Sequence, residues 1–233
     1  MNLTGYWISK KKHLFAGIDM CYDIDRVSQE PINVIFDVGA NVGQSVFFFK
    51  EEYKNATIYS FEPVKSSFQK LKERTKSLKN IYLENIALGE SIATHKIKLH
   101  GDDELLTSMN SLDPDLMNKA SDAIEEEIEV STIDHYVEEK RIKQIDLLKL
   151  DVEKWEIPVL NGAKESLRQG KIRFILSEVG FENTETRFTN FNELSVYLKS
   201  LSFSFVGLYE VCLYNGKAHF GNALFVYEPD KTP

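Results

Sequence analysis

The chain has 233 residues, 42% of them apolar and 27% charged, with a formal charge of −8. That length fits one domain over 1–233 with a substantial core, and the balance excludes a disordered or fibrous chain. Net acidity argues against a nucleic-acid partner, because neutralising phosphates takes clustered Lys and Arg, and the one tight basic run is Lys10-Lys11-Lys12.

After an N-terminal extension over 1–30, Asn33 to Val38 is a continuous apolar run that ends at a glycine, the pattern of a strand buried on both faces. Gln44 to Tyr53 predicts a helix, Thr57 to Phe61 a second strand, and Val64 to Leu78 a helix with Phe68, Leu71 and Leu78 on one face. Ile81 to Ala87 predicts a third strand. A polar insertion over 101–129, ending in the acidic run Glu125-Glu126-Glu127, reads as a lid-like surface excursion flanked by the strands Thr94 to Leu99 and Glu127 to Ser131. Ile145 to Val152 is another apolar strand. One helix is expected from about Trp155 to Gln169, with Pro158 in its first turn and Gly170 as its stop. A strand at Ile172 to Val179, a helix at Phe191 to Leu201 and two strands, Phe203 to Leu213 and Ala223 to Glu228, complete the chain.

Alternating strands and helices predict an α/β fold, a mostly parallel sheet with helices on both faces and right-handed crossovers. The closing strand pair has no helix between its members, which predicts an antiparallel last strand. No stretch approaches the roughly 20 apolar residues that cross a bilayer, and the N-terminus lacks an apolar segment after its charges. No transmembrane segment and a cytoplasmic location are therefore expected. Cys21 and Cys212 have no second cysteine at metal spacing.

Open α/β sheets bind ligands at the carboxyl ends of their strands. There the sequence places Asp37-Val38-Gly39-Ala40-Asn41-Val42-Gly43, then Glu62-Pro63, Asn85-Ile86-Ala87, Asp151-Val152-Glu153 and Glu178. Gly39 and Gly43 allow a tight turn and close approach of a ligand. Glu62 lies 25 residues beyond Asp37, near the offset of roughly 20 at which an acid grips ribose hydroxyls. The loop lacks the second and third glycines of a dinucleotide fingerprint. Asp37, Glu62 and Asp151 form an acidic rim that repels pyrophosphate and attracts a cationic guest such as a sulfonium. The plainer alternative is that the glycines make a turn and the acids cap helices.

The segments Asp37 to Gly43, Phe61-Glu62-Pro63, Ala87-Leu88-Gly89, and Leu150-Asp151-Val152-Glu153 followed by Val159-Leu160-Asn161-Gly162-Ala163 resemble the FkbM-type family of methyltransferases over most of the chain, from about Asn33 to Glu228. The resemblance implies a Rossmann-like class I fold with a seven-stranded sheet, S-adenosylmethionine as methyl donor, and O-methylation of a sugar or glycan hydroxyl. Alternatives are a lipid or natural-product hydroxyl, or a catalytically silent cofactor-binding scaffold. Asp37, Gly39, Ala40, Asn41, Gly43 and Ser45 are expected around the methionine part, Glu62 and Pro63 at the ribose, Asn85 and Ala87 beside the adenine, and Ser108 and Asp151 as further contacts. The family usually carries glycine after Asp-Val-Glu. Here Lys154 stands there, next to Trp155, which is either a stacking platform for a sugar or a packing residue of the helix.

A sugar hydroxyl is a weak nucleophile and needs a base within hydrogen-bond reach. Asp151, Glu153, Glu178 and His219 are the candidates. His219 is expected in the loop between the last two strands. Glu153 has a surface pair with Lys149 as its plainer reading, and Glu178 a buried pair with Arg173. No spacing specifies a metal, so none is expected. A monomer and a homodimer both stay open.

Overall fold

A computed structural model describes residues 15–28, 30–99, 124–182 and 187–229. In chain order its elements are α1 (Met20–Val27), β1 (Val34–Val38), α2 (Gln44–Glu52), β2 (Thr57–Phe61), α3 (Lys65–Thr75) and β3 (Ile81–Glu84). Then come β4 (Ala87–Leu88), β5 (Ala93–Leu99), β6 (Ile124–Ser131), α4 (Ile133–Glu139) and β7 (Ile145–Leu150). Two short helices, α5 (Glu156–Asn161) and α6 (Lys164–Arg168), precede β8 (Ile172–Gly180), α7 (Phe191–Ser200), β9 (Phe203–Tyr214) and β10 (Lys217–Tyr227).

Seven strands make one sheet in the order β3-β2-β1-β7-β8-β10-β9. The first five run parallel, and β10 is antiparallel to both of its neighbours. The apolar runs form strands because both faces of the sheet are covered. Side chains alternate between two cores. Phe36, Leu148, Ile175 and Phe225 point into one, beneath α4 to α7. Their neighbours Ile35, Leu147, Phe174 and Leu224 point into the other, beneath α1 to α3.

The third strand is shorter than expected. It ends at Glu84, and the Asn85 amide donates to the carbonyls of Glu62 and Pro63, both at 2.9 Å, turning the chain out of the sheet. Ala87 and Leu88 then join a separate sheet of order β4-β6-β5. The end of the expected insertion is thus strand β6, and residues 100–123 lie outside the described part.

The helix expected at 155–169 is broken in two. A Cβ at Gly162 would stand 1.9 Å from the Gly89 carbonyl oxygen, so the chain passes there without room for a side chain. The second piece starts under a borrowed cap. Asp134, on α4, accepts the backbone N–H groups of Glu165 and Ser166, each at 2.8 Å.

The closing hairpin turns at Asn215-Gly216, both with positive φ (50° and 75°). A two-residue turn of this kind matches the twist of the strands it joins. β10 therefore begins at Lys217, not Ala223, and His219 sits inside a strand rather than in the connecting loop. Helix α1, within the expected extension, is pinned to β9. The carboxylate of Asp23, 2% exposed, accepts from the Gly17 amide and the Tyr209 hydroxyl, both at 2.8 Å. No described helix is long and apolar enough to cross a membrane.

Candidate active site

The carboxyl ends of β1, β2, β7 and β8 open into one cavity of about 1050 Å³. Gly39, Ala40, Asn41 and Ser45 line it from the loop after β1 and the start of α2, and Glu62 and Pro63 from the loop after β2. Ala87 and Leu88 contribute from β4, and Asp151, Glu153, Trp155 and Glu178 from the opposite side. Sites that enclose small ligands run from roughly 300 to 1,000 Å³. This one has room for a nucleoside cofactor and a second small molecule together.

The loop after β1 is built around one close approach. Gly39 has φ +79°, and a Cβ there would lie 1.9 Å from the Asp151 carbonyl oxygen. The Gly39 and Ala40 amides both donate to the Phe61 carbonyl at 3.0 Å, which locks the loop to the end of β2. Asn41 is left-handed (φ 47°), its amide donates to Glu62 Oε2 at 2.9 Å, and its own Oδ1 is buried without a hydrogen-bond partner among the described residues. The other Glu62 oxygen accepts from the Val64 amide at 2.8 Å. Burial pushes the Glu62 carboxyl up to about 7, against the pull of those two amides.

Several expected contacts lie elsewhere. Asp37 is fully buried and off the cavity wall. Its Oδ2 accepts from Ser45 Oγ at 2.6 Å, and its Oδ1 stands 3.3 Å from Lys149 Nζ. Gly43 is the N-cap of α2, behind the wall. Asn85 shapes the Glu62-Pro63 turn and leaves the wall to Ala87. His219 is also off the wall, its ring among Phe188, Tyr214 and Phe220. Ser108 lies outside the described residues.

Lys149 alters the electrostatics inferred from sequence. Its ammonium sits 3.2 Å from Asp151 Oδ2 as well as 3.3 Å from Asp37 Oδ1. Burial opposes its charge, but the two carboxylates more than offset burial and raise its pKa. The acidic rim is therefore partly neutralised from below. Lys149 does not pair with Glu153, as the plainer reading had it. The Glu153 partner is Arg187, which grips it in a fork, Nε to Oε2 at 3.1 Å and Nη2 to Oε1 at 2.9 Å. Nor does Arg173 reach Glu178. It pairs with Asp146 at 2.7 Å, at the other end of the sheet. Glu178 shares one side of the cavity with Asp151 and Glu153. Burial first, then those two negative charges, push its carboxyl up to about 9.

Sequence reasoning missed Arg187, Asn222, Glu210 and the Ile18–Cys21 stretch of the wall. One signal was available. Lys149 is a lone cation among apolar residues near the C-terminal end of its strand, where a buried charge implies a partner. Among the described residues, no three His, Cys, Asp or Glu side chains gather so as to hold a metal ion.

This strand order, with a glycine-acid loop after β1 and an acid after β2, is that of a class I S-adenosylmethionine-dependent methyltransferase. Two solved structures share the fold. Magnesium protoporphyrin IX methyltransferase from Synechocystis PCC 6803, with bound S-adenosylmethionine, has a TM-score of 0.50 at 7% identity, over 89% of this chain and 75% of that one. An rRNA methylase from Streptococcus thermophilus has a TM-score of 0.50 at 12% identity, over 96% and 100%. The Methyltransferase FkbM domain matches residues 37–205, and the chain belongs to that family. The 31-O-demethyl-FK506 methyltransferase FkbM of Streptomyces tacrolimicus is similar to it, 27% identical over 186 residues, which cover 69% of this chain and 70% of that protein.

Proposed function

We propose that this methyltransferase acts on a hydroxyl group, that of a sugar or glycan. One observation carries the reading: a carboxylate group with an adjoining aromatic ring (Asp151, Glu153, Glu178 and Trp155) shares a single cavity with the Gly39–Asn41 loop and Glu62. The residues fit the cofactor. The two amides that hold Glu62 aim its carboxylate, and paired ribose hydroxyls would favour its charged form. The unpartnered Asn41 Oδ1 offers an acceptor to the amino-acid ammonium. Gly39, Ala40 and Ser45 complete the methionine end, with Pro63, Ala87 and Leu88 beside the adenine.

When bound, the cofactor supplies a methyl group made electrophilic by its sulfonium. The protein's own task is to hold the acceptor oxygen in line with it and to take a proton away. Asp151 is the base. It lies on the wall with its carboxylate steered by Lys149. Asp151 would take the proton that the acceptor hydroxyl gives up when the methyl group leaves the sulfonium for its oxygen. Burial and the neighbouring acids raise the Glu178 pKa, which favours its protonated form as a hydrogen-bond donor to a second acceptor oxygen. Trp155 lines the wall while packing against the core, and a sugar ring stacked on its indole is the contact we propose for it.

A natural-product hydroxyl is the second reading, favoured by the name of the Streptomyces relative. Incubation of the enzyme with S-adenosylmethionine and a panel of free sugars, glycosides and macrolides, with S-adenosylhomocysteine as readout, separates the two. Asp151→Asn is expected to slow the accepted reaction by about 10²–10⁴-fold, the usual worth of a positioned base. Undiminished turnover in that variant would remove Asp151 from the role.

A further inference from the structure

The loop that follows β7 is strained. Glu153 and Lys154 are consecutive residues in the left-handed region, with φ of 49° and 68°. Neither is a glycine, and such residues persist where surrounding structure over-determines them. The surrounding structure is the short stretch 187–190. Two residues of it, two apart, hold two carboxylates three apart. Arg187 forks onto Glu153, and the Thr189 hydroxyl donates to Glu156. Glu156 in turn accepts the Val152 amide at 3.3 Å. The stretch is itself anchored, since the Gly180 amide donates to the Thr189 carbonyl at 3.0 Å. Arg187 also lies over the Phe188 ring, 5.4 Å from its centroid, and Phe188 stacks on Phe220 at 4.7 Å. Between the two clamped carboxylates stands Trp155, on the cavity wall.

We infer that Arg187 is a positioning residue: its fork on Glu153 offsets the strain of the Glu153-Lys154 pair and so fixes Asp151 and Trp155 at the acceptor end of the cavity. The inference rests on the reading of that end as the acceptor site. The fork suits arginine over lysine, because a planar guanidinium meets both carboxylate oxygens at once. Lys154 adds a second handle. Glycine takes a left-handed backbone without steric cost, so Lys154→Gly lowers the strain that the fork has to offset.

The chain has two tryptophans, Trp7 and Trp155, so a Trp7→Phe background leaves Trp155 as the single indole emitter. Acrylamide quenching of Trp155 in the full chain then reads the loop. Arg187→Met is expected to raise the quenching constant about twofold or more, because the strained loop loses its clamp. Arg187→Lys should fall between wild type and Arg187→Met, a point charge replacing part of the fork. Adding Lys154→Gly to Arg187→Met should return at least about half of the change, because the loop conformation no longer needs the clamp as much. Calorimetry with S-adenosylhomocysteine should show affinities within about threefold of each other in all variants, since the cofactor end rests on β1 and β2. Unchanged quenching in Arg187→Met, or no recovery in the double variant, overturns the inference. A wild-type chain that fails to bind S-adenosylhomocysteine overturns the cofactor reading instead, and quenching still decides the role of Arg187.

Discussion

Asp37 and Lys149 stand directly opposite each other on β1 and β7, and that register pairs them inside the sheet. Strand-end position marked Asp37 as a residue near the cofactor, but period-two alternation turns its side chain under the loop. Glu62, by contrast, lines the cavity, the place that its position after the second strand led one to expect. Its raised pKa gives a test. In the proposed seat the charged form would accept from two hydroxyls, so binding would remove a proton from Glu62 below about pH 7. S-adenosylhomocysteine affinity is therefore expected to rise as pH increases through about 7, with proton release seen by calorimetry in buffers of different ionisation enthalpy. Glu62→Gln should weaken binding by about tenfold to a hundredfold, the worth of charge-assisted hydrogen bonds, and flatten the pH dependence. Glu156 tests the same physics on stability. Burial raises its carboxyl from the ordinary 4.5 to about 7 in the folded chain. The folded state thus binds the extra proton between those values, and stability from this group is lost as pH rises through that window. The loss is of the order of 2–3 kcal/mol. Thermal unfolding of Glu156→Gln should show a smaller decline from pH 5 to pH 8 than wild type; an equal decline contradicts the assignment.

At the scale of elements, the long apolar strands were readable because burial on both faces leaves an unbroken hydrophobic run. The breaks were not. Asn85 ends β3 through bonds to carbonyls more than 20 residues away, and Gly162 splits α5 from α6 because it rests on Gly89. Both causes are long-range contacts that local periodicity does not carry. The extent of β10 was misjudged for a nearer reason: Asn215-Gly216 is a hairpin signal in the sequence itself, and it places the turn before Lys217. Gly162→Ala tests the packing account. Its methyl group would meet the Gly89 carbonyl, an overpacking cost of about 1–3 kcal/mol. For a chain of this size that is a fall of roughly 2–12 °C in Tm. An unchanged Tm would show that the two backbones are not in contact.

The whole molecule brings the proposed cofactor and acceptor residues to one end of a single sheet. The two sets meet at Lys149, whose ammonium joins Asp37 behind the glycine loop to Asp151 on the cavity wall. The order of the central strands gathers their carboxyl ends at one edge, and the alternation of apolar runs and helices was enough to foresee that arrangement. The cavity charge was harder to foresee, because Lys149 and Arg187 meet the acids only in three dimensions. The central claim is that the Gly39–Asn41 loop and Glu62 form the cofactor seat. A crystal structure grown with S-adenosylhomocysteine tests it most directly. Ribose hydroxyls on the Glu62 carboxylate and the amino-acid tail over Gly39 to Asn41 are the expected result. Ligand density elsewhere on the chain, or a cavity that stays free of ligand at saturating concentration, would contradict it.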